Sequence, residues 1–114
     1  MSYDITPWGR AIPYTSPITG RSTTLYNIGT VADAIGRTSQ TLRKWEIGGV
    51  IPPTPFKQRG KRLYSKEHMD LIIACAEKSR IRQGSKYTQK VFSDLLYKDF
   101  QAVNDLFFKK VEEE

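Results

Sequence analysis

Cationic side chains are concentrated in one segment of the chain, where their number and spacing suit the binding of a polyanion. Between Arg37 and Arg62 there are seven basic residues and one acid, Glu46. A second run, from Lys78 to Lys90, holds five basic residues and no acid. The chain of 114 residues carries a net charge of +6. This segregation favours a basic face that binds nucleic acid, with an anionic membrane surface as the weaker alternative.

Residue sets that could support catalysis or hold a metal are not evident in the sequence. The single histidine, His68, has no cysteine or carboxylate at ligand spacing and no visible nucleophile to activate. The single cysteine, Cys75, lies in an apolar pattern and is expected to be buried. The pair Gly48-Gly49 is expected to end a helix and not to cradle a phosphate. We therefore expect no enzyme, no cofactor, no metal and no small-molecule ligand.

The N-terminal residues lack the basic and apolar regions of a signal peptide, and no apolar run is long enough to span a membrane. One cysteine allows no internal disulfide bond, which suits a reducing compartment. These features predict a cytoplasmic protein that does not enter a membrane.

Two short helices are predicted on either side of Gly36. The first begins after Asn27, a favourable N-cap, and carries small and branched apolar residues at helical spacing. Gly36 can adopt the positive φ of a helix C′ position. The second helix begins after Thr38 and directs Leu42 and Trp45 towards the first. Its outward residues are then Ser39, Gln40, Arg43 and Lys44. A helix with such a polar face fits the DNA major groove.

The segment after the second helix contains a proline-rich stretch and then a predicted hairpin. Pro52, Pro53 and Pro55 exclude a helix there. The residues from Phe56 to Tyr64 predict two strands joined at Gly60. The hairpin carries the cations Lys57, Arg59, Lys61 and Arg62. A cationic hairpin that follows a helix-turn-helix is typical of a wing lying along the DNA backbone.

The sequence YNIGTVADAIGRTSQTLRKWEIGGVI, followed by RGKRLYS, resembles the DNA-binding domain of the mercuric-resistance-regulator (MerR) family of winged helix-turn-helix proteins. The resemblance extends from Tyr26 to Ala76. It implies that Arg43 contacts DNA from the recognition helix and that Arg62, braced by Tyr64, contacts a phosphate from the wing. Arg37 departs from the family pattern, because an apolar residue is usual at that position. We also expect no effector domain and no metal-binding cysteine cluster.

The fold class that follows is mainly α, a winged helix-turn-helix with a short two-stranded wing and additional C-terminal helices. The expected function is sequence-specific binding of double-stranded DNA by a small transcription regulator. The alternatives are a phage or mobile-element accessory protein, such as an excisionase or the small subunit of a DNA-packaging enzyme, and a protein-interaction module with the same fold. The residues expected to bind DNA are Ser39, Gln40, Arg43, Lys44, Lys57, Arg59, Lys61, Arg62 and Tyr64.

Three segments are predicted: residues 1–26 as an N-terminal arm or small hairpin, 27–83 as the DNA-binding domain, and 84–114 as a C-terminal helix with an acidic tail. The arm is expected either to assist DNA binding through Arg10 and Arg21 or to pack on the domain. The last helix is expected to start near Thr88. Its apolar stripe predicts either a homodimer interface or a helix that folds back and completes a monomeric core. The stripe consists of Phe92, Leu95, Leu96, Phe100, Val103 and Phe107.

Overall fold

A computed structural model describes residues 4–6, 9–81 and 86–109. In this part of the chain there are four helices and five strands. The strands are β1 (Asp4–Thr6), β2 (Gly9–Thr15), β3 (Ser22–Asn27), β4 (Phe56–Gln58) and β5 (Lys61–Ser65). The helices are α1 (Ile28–Ala34), α2 (Ser39–Ile47), α3 (Lys66–Ser79) and α4 (Lys86–Phe108).

The first two helices form where the sequence predicts them, because short polar side chains cap their starts. Asn27 accepts a hydrogen bond from the backbone N–H of Thr30 at 2.8 Å, and Thr38 accepts one from Thr41 at 3.2 Å. Gly36 between them has a φ of +72°, a conformation in which a Cβ atom would be strained. The predicted helix-turn-helix is therefore confirmed at both caps and at its turn.

The sheet is larger than the predicted two-stranded wing. The strands are ordered β1-β2-β3-β5-β4, and all neighbouring pairs are antiparallel. The hairpin of β4 and β5 forms around Gly60 as expected. However, β5 also pairs with β3, where Tyr26 lies opposite Tyr64. The fold thus combines a mainly helical chain with a five-stranded sheet, because the N-terminal segment adds its strands to the hairpin.

The N-terminal segment packs on the domain as a hairpin. Its strands β2 and β3 are joined by a turn in which the N–H of Gly20 donates to the carbonyl of Ser16. The hydroxyl of Ser16 donates to the carbonyl of Phe107, and that of Thr19 donates to Leu106 at 2.9 Å. Both carbonyls lie in the last turn of α4, where a helix lacks internal donors. The β2–β3 turn therefore caps the C-terminus of α4.

Arg21, one of the two arm cations considered for DNA binding, pairs with Glu67 of α3 at 3.0 Å. Thr23 also donates to Glu67. These contacts hold the hairpin against α3, as expected of a packing role. The side chain of Arg10 lies outside the described residues.

Helix α4 folds back on α3 and buries its apolar stripe inside one chain. The buried members are Phe92, Leu96, Phe100 and Phe107, while Leu95 and Val103 are partly buried. The stripe is therefore buried within one chain, as the alternative of a core completed by α4 expects, and a homodimer through this helix stays a prediction. The helix begins at Lys86, two residues before Thr88.

The main core draws on all three predicted segments. It joins Ala11 of β2 and Val31 of α1 to Phe92 of α4. A second cluster brings Leu25, Phe56, Leu63 and Phe107 together. Helix α3 ends at Ser79, with Arg80 in the left-handed conformation at its C-cap. The predicted boundary between residues 83 and 84 lies outside the described residues.

Candidate nucleic-acid interface

Helix α2 presents a polar face because its apolar residues are held in the core. Leu42 is buried, and the ring of Trp45 lies 5.6 Å from that of Phe92. Gln40, Arg43 and Lys44 are exposed, and Ser39 is half-buried. The last residue of the helix, Ile47, is also exposed. The orientation expected from the Leu42 and Trp45 pattern is therefore correct.

The β4–β5 hairpin carries its cations on both sides of a tight turn. Arg59 and Gly60 have φ values of +53° and +77°, as the two central residues of a type I′ hairpin turn require. Lys57 and Lys61 flank them, and these three cationic side chains are exposed. Positive φ is uncommon for arginine, so a long cation at this tip is held at a cost to the backbone.

A cleft of about 340 Å³ lies between α2, the start of α1 and the hairpin turn. Four of the residues selected from the sequence line it, namely Ser39, Arg43, Lys61 and Arg62. The remaining members of the lining are Asn27, Ile28, Gly29 and Gly60. The pairing of β3 with β5 sets Asn27 opposite Leu63 and so brings the start of α1 to the hairpin. The fold thus joins side chains from two separate segments in one cationic cleft.

Arg62 is held by the acid of the recognition helix. Its Nε lies 2.8 Å from Oε2 of Glu46, and the hydroxyl of Tyr64 lies 3.5 Å from the same oxygen. The interaction with Glu46 raises the pKa of Arg62, and burial raises the pKa of Tyr64. Arg62 therefore stays cationic and Tyr64 neutral at physiological pH.

Tyr64 differs from the other residues of the predicted set. Its side chain is 0% exposed, so it has no surface with which to contact DNA directly. The expectation of a direct DNA contact by Tyr64 is corrected on this ground. The tyrosine lies beneath Arg62, where its hydroxyl reaches Glu46.

Arg37 does not leave the edge of the core open. Its guanidinium donates to the carbonyl of Ile81, just beyond the end of α3. Ile81 is itself buried in the main core. The long side chain thus links the α1–α2 turn to the segment after α3.

Two residues of this region were missed by sequence reasoning. Asn27 was read only as a helix cap, although it also lines the cleft. Glu46 was noted only as the one acid of the basic segment and as part of the family resemblance, although it pairs with Arg62. The opposite charges of Glu46 and Arg62 were visible in the sequence, but their separation of sixteen residues gave no sign that they would meet.

Within the described residues, neither His68 nor Cys75 belongs to a candidate functional site. His68 is buried between Ser65 and Asn104, and Cys75 is buried in the main core. Among residues 4–6, 9–81 and 86–109, no cluster of three or more histidine, cysteine or acidic side chains could hold a metal ion. In the same part of the chain, no helix has the length and apolar character needed to cross a membrane.

The geometry defines a helix-turn-helix domain in which a cationic hairpin stands beside the second helix. Residues 26–76 match the family described as MerR HTH family regulatory protein, so this part of the chain is a MerR-like helix-turn-helix domain. The match includes α1, α2, the hairpin and most of α3. No curated protein and no solved structure shows significant similarity to the chain.

Proposed function

We propose that the protein binds double-stranded DNA in a sequence-specific manner and acts as a small, non-enzymatic transcription regulator. The observation that carries this proposal is the cleft in which Ser39 and Arg43 of α2 meet Lys61 and Arg62 of the hairpin. A cationic groove between a helix and a hairpin matches a duplex, which offers base edges in the major groove and phosphates on either side of it.

The two elements divide the work of recognition. Helix α2 enters the major groove, where Ser39, Gln40 and Arg43 reach base edges and Lys44 faces the backbone. The N-terminal part of a recognition helix is the part that contacts bases. The hairpin follows the phosphate backbone beside it, with Lys57, Arg59, Lys61 and Arg62 as its contacts.

A salt titration of binding to a random duplex tests the DNA-binding part of the proposal. Six cations are assigned to the duplex, two on α2 and four on the hairpin. If about five of them neutralise phosphates, the logarithm of the affinity falls against the logarithm of salt concentration with a slope of about −4 to −5. A protein-interaction module would show no binding or no such slope.

Mapping of the bound sites across a genome tests the regulatory part. Sites concentrated at promoters support a transcription regulator. Sites confined to attachment or packaging sequences support the accessory role in recombination or DNA packaging instead. Selection of bound sequences from a random pool adds the motif, and a pool without enrichment contradicts sequence-specific recognition.

A further inference from the structure

Glu46 is an unusual residue for the face that we assign to DNA. It is the only acid between Arg37 and Arg62, and it lies on the recognition helix α2. A carboxylate near a phosphate backbone repels it and lowers affinity. Its side chain is only 8% exposed, however, so it is directed into the protein and engages groups there.

The partners of Glu46 belong to the strand that carries the wing. Oε2 of Glu46 lies 2.8 Å from Nε of Arg62 and 3.5 Å from the hydroxyl of Tyr64. Tyr64 is fully buried and therefore fixed in place. The three side chains join the end of α2 to β5 across the wall of the cleft.

The contact with Glu46 involves the Nε atom of the Arg62 guanidinium. Nε of Arg62 is shielded from solvent and pairs with Oε2 of Glu46 by charge at 2.8 Å, without the alignment of a hydrogen bond, whereas the side chain as a whole keeps 24% of its surface. A guanidinium has five N–H donors in a rigid plane, so fixing Nε sets the direction in which the other four donors point.

We propose that Glu46 is a positioning residue, which holds Arg62 so that its two Nη groups face the cleft and bind a DNA phosphate. This inference rests on the proposed function, because it assigns a ligand to Arg62. It also gives Glu46 a role in binding that its charge alone would oppose. The ion pair between Glu46 and Arg62 fixes the position of the hairpin relative to α2. The helix can then contact the major groove while the hairpin contacts the DNA backbone.

The two effects of Glu46 on affinity have opposite signs, and this makes the inference testable. If Glu46 only repels DNA, Glu46→Gln removes a negative charge and binding becomes tighter. If Glu46 positions Arg62, the same change releases the guanidinium and weakens binding. We expect a five- to tenfold loss of affinity for random duplex, together with a salt slope that is smaller by about 1. Tighter or unchanged binding would overturn the inference.

The same change in an Arg62→Ala background supplies the matched control. Without Arg62 there is nothing to position, so Glu46→Gln should then leave affinity unchanged or raise it. A loss of the same size in both backgrounds would mean that Glu46 acts by another route, and would refute the inference. Tyr64→Phe keeps the ring and the ion pair, and is expected to change affinity less than twofold.

A measurement on the unaltered protein covers the case in which the variants do not fold. The Nε–H resonance of Arg62 should be protected from solvent exchange and should stay protected when duplex is added. Loss of that protection on DNA binding would show that the pair breaks, which contradicts positioning. Failure of the unaltered protein to bind any duplex would instead overturn the proposed function.

Discussion

His68 of α3 and Asn104 of α4 meet inside the protein, with Nε2 of the histidine 2.6 Å from Oδ1 of the asparagine. The other ring nitrogen, Nδ1, lies 2.5 Å from the hydroxyl of Ser65. A neutral ring with its proton on Nε2 satisfies both contacts, since it donates to Asn104 and accepts from Ser65. The rings of Phe56 and Phe100 pack against it at 5.9 and 4.7 Å. This contact joins the helix-turn-helix domain to the C-terminal helix.

Stability is expected to fall on mild acidification because of this histidine. Burial lowers the pKa of His68 below its ordinary value of 6.5, although the bond to Asn104 opposes the shift. Below that value the unfolded chain takes up a proton that the folded chain resists. The free energy of unfolding should therefore be constant above about pH 7 and fall by up to about 1.4 kcal/mol per pH unit below it. Urea denaturation from pH 8 to pH 5 measures this.

Two variants separate His68 from other acid-sensitive groups. His68→Gln should flatten the pH dependence between pH 7 and 5. Glu67 titrates in a lower range, because hydrogen bonds from Thr23 and Arg21 outweigh burial and lower its pKa below 4.5. Glu67→Gln should therefore leave the pH 7 to 5 region unchanged. An unaltered slope in His68→Gln would contradict the assignment.

Arg59, at the tip of the hairpin, is expected to lower the stability of the fold and to strengthen the binding of DNA. Arg59 has a φ of +53°, and asparagine tolerates this conformation better in a type I′ turn. Arg59→Asn should raise the free energy of unfolding by about 1 kcal/mol and reduce the salt slope of duplex binding by about 1. Arg59→Lys keeps the charge and the strain, so both quantities should stay near their original values. A lower free energy of unfolding in Arg59→Asn than in the unaltered protein would refute the argument from strain.

Arg43 is expected to read bases, since it is exposed on the outward face of α2 and lines the cleft. Arg43→Ala should cost about 1–3 kcal/mol of binding free energy on the preferred site and relax preference at one base position. Lys44→Ala is the matched control, with a similar loss on all duplexes and no change in the selected motif. Identical motifs for Arg43→Ala and the unaltered protein would argue against base contact.

Ser16 is expected to stabilise the fold without contributing to DNA binding. Its hydroxyl donates to the carbonyl of Phe107 and accepts from the N–H of Thr19 at 3.1 Å. Ser16→Ala leaves the buried carbonyl of Phe107 and the part-buried N–H of Thr19 without this partner and should cost about 1–3 kcal/mol of stability. Thr15→Ala, which removes an exposed hydroxyl contact with Ser22, should cost less than about 0.5 kcal/mol. Lost duplex affinity in a folded Ser16→Ala protein would contradict a purely structural role.

The stripe of α4 is expected to behave as core. Phe100 is 2% exposed, so Phe100→Asp places a charge where no water can reach it. Loss of folded structure in circular dichroism is the expected result, and conversion to a folded protein of half the mass would contradict it. Gln101→Ala, on the exposed side of the same helix, should keep fold and mass.

The sequence by itself determined the features that depend on neighbouring residues. Asn27, Thr38 and Ser65 start helices because a short polar side chain can accept a bond from the N–H three residues on. Gly36 and Gly60 mark turns because positive φ is strained for most other residues. The outward direction of Arg43 follows from Leu42 and Trp45, since helical periodicity fixes relative orientation.

Only the tertiary structure decided which distant groups meet. The sheet has five strands instead of the two of the predicted wing, because β3 pairs with β5. No local sequence pattern specifies which strand another strand pairs with. The apolar stripe of α4 was equally suited to a second chain and to its own core, and packing on α3 settled where it is buried. Glu46 and Arg62 are joined for the same reason: hydrophobic burial and strand pairing bring them within 2.8 Å, whereas chain spacing alone leaves them independent.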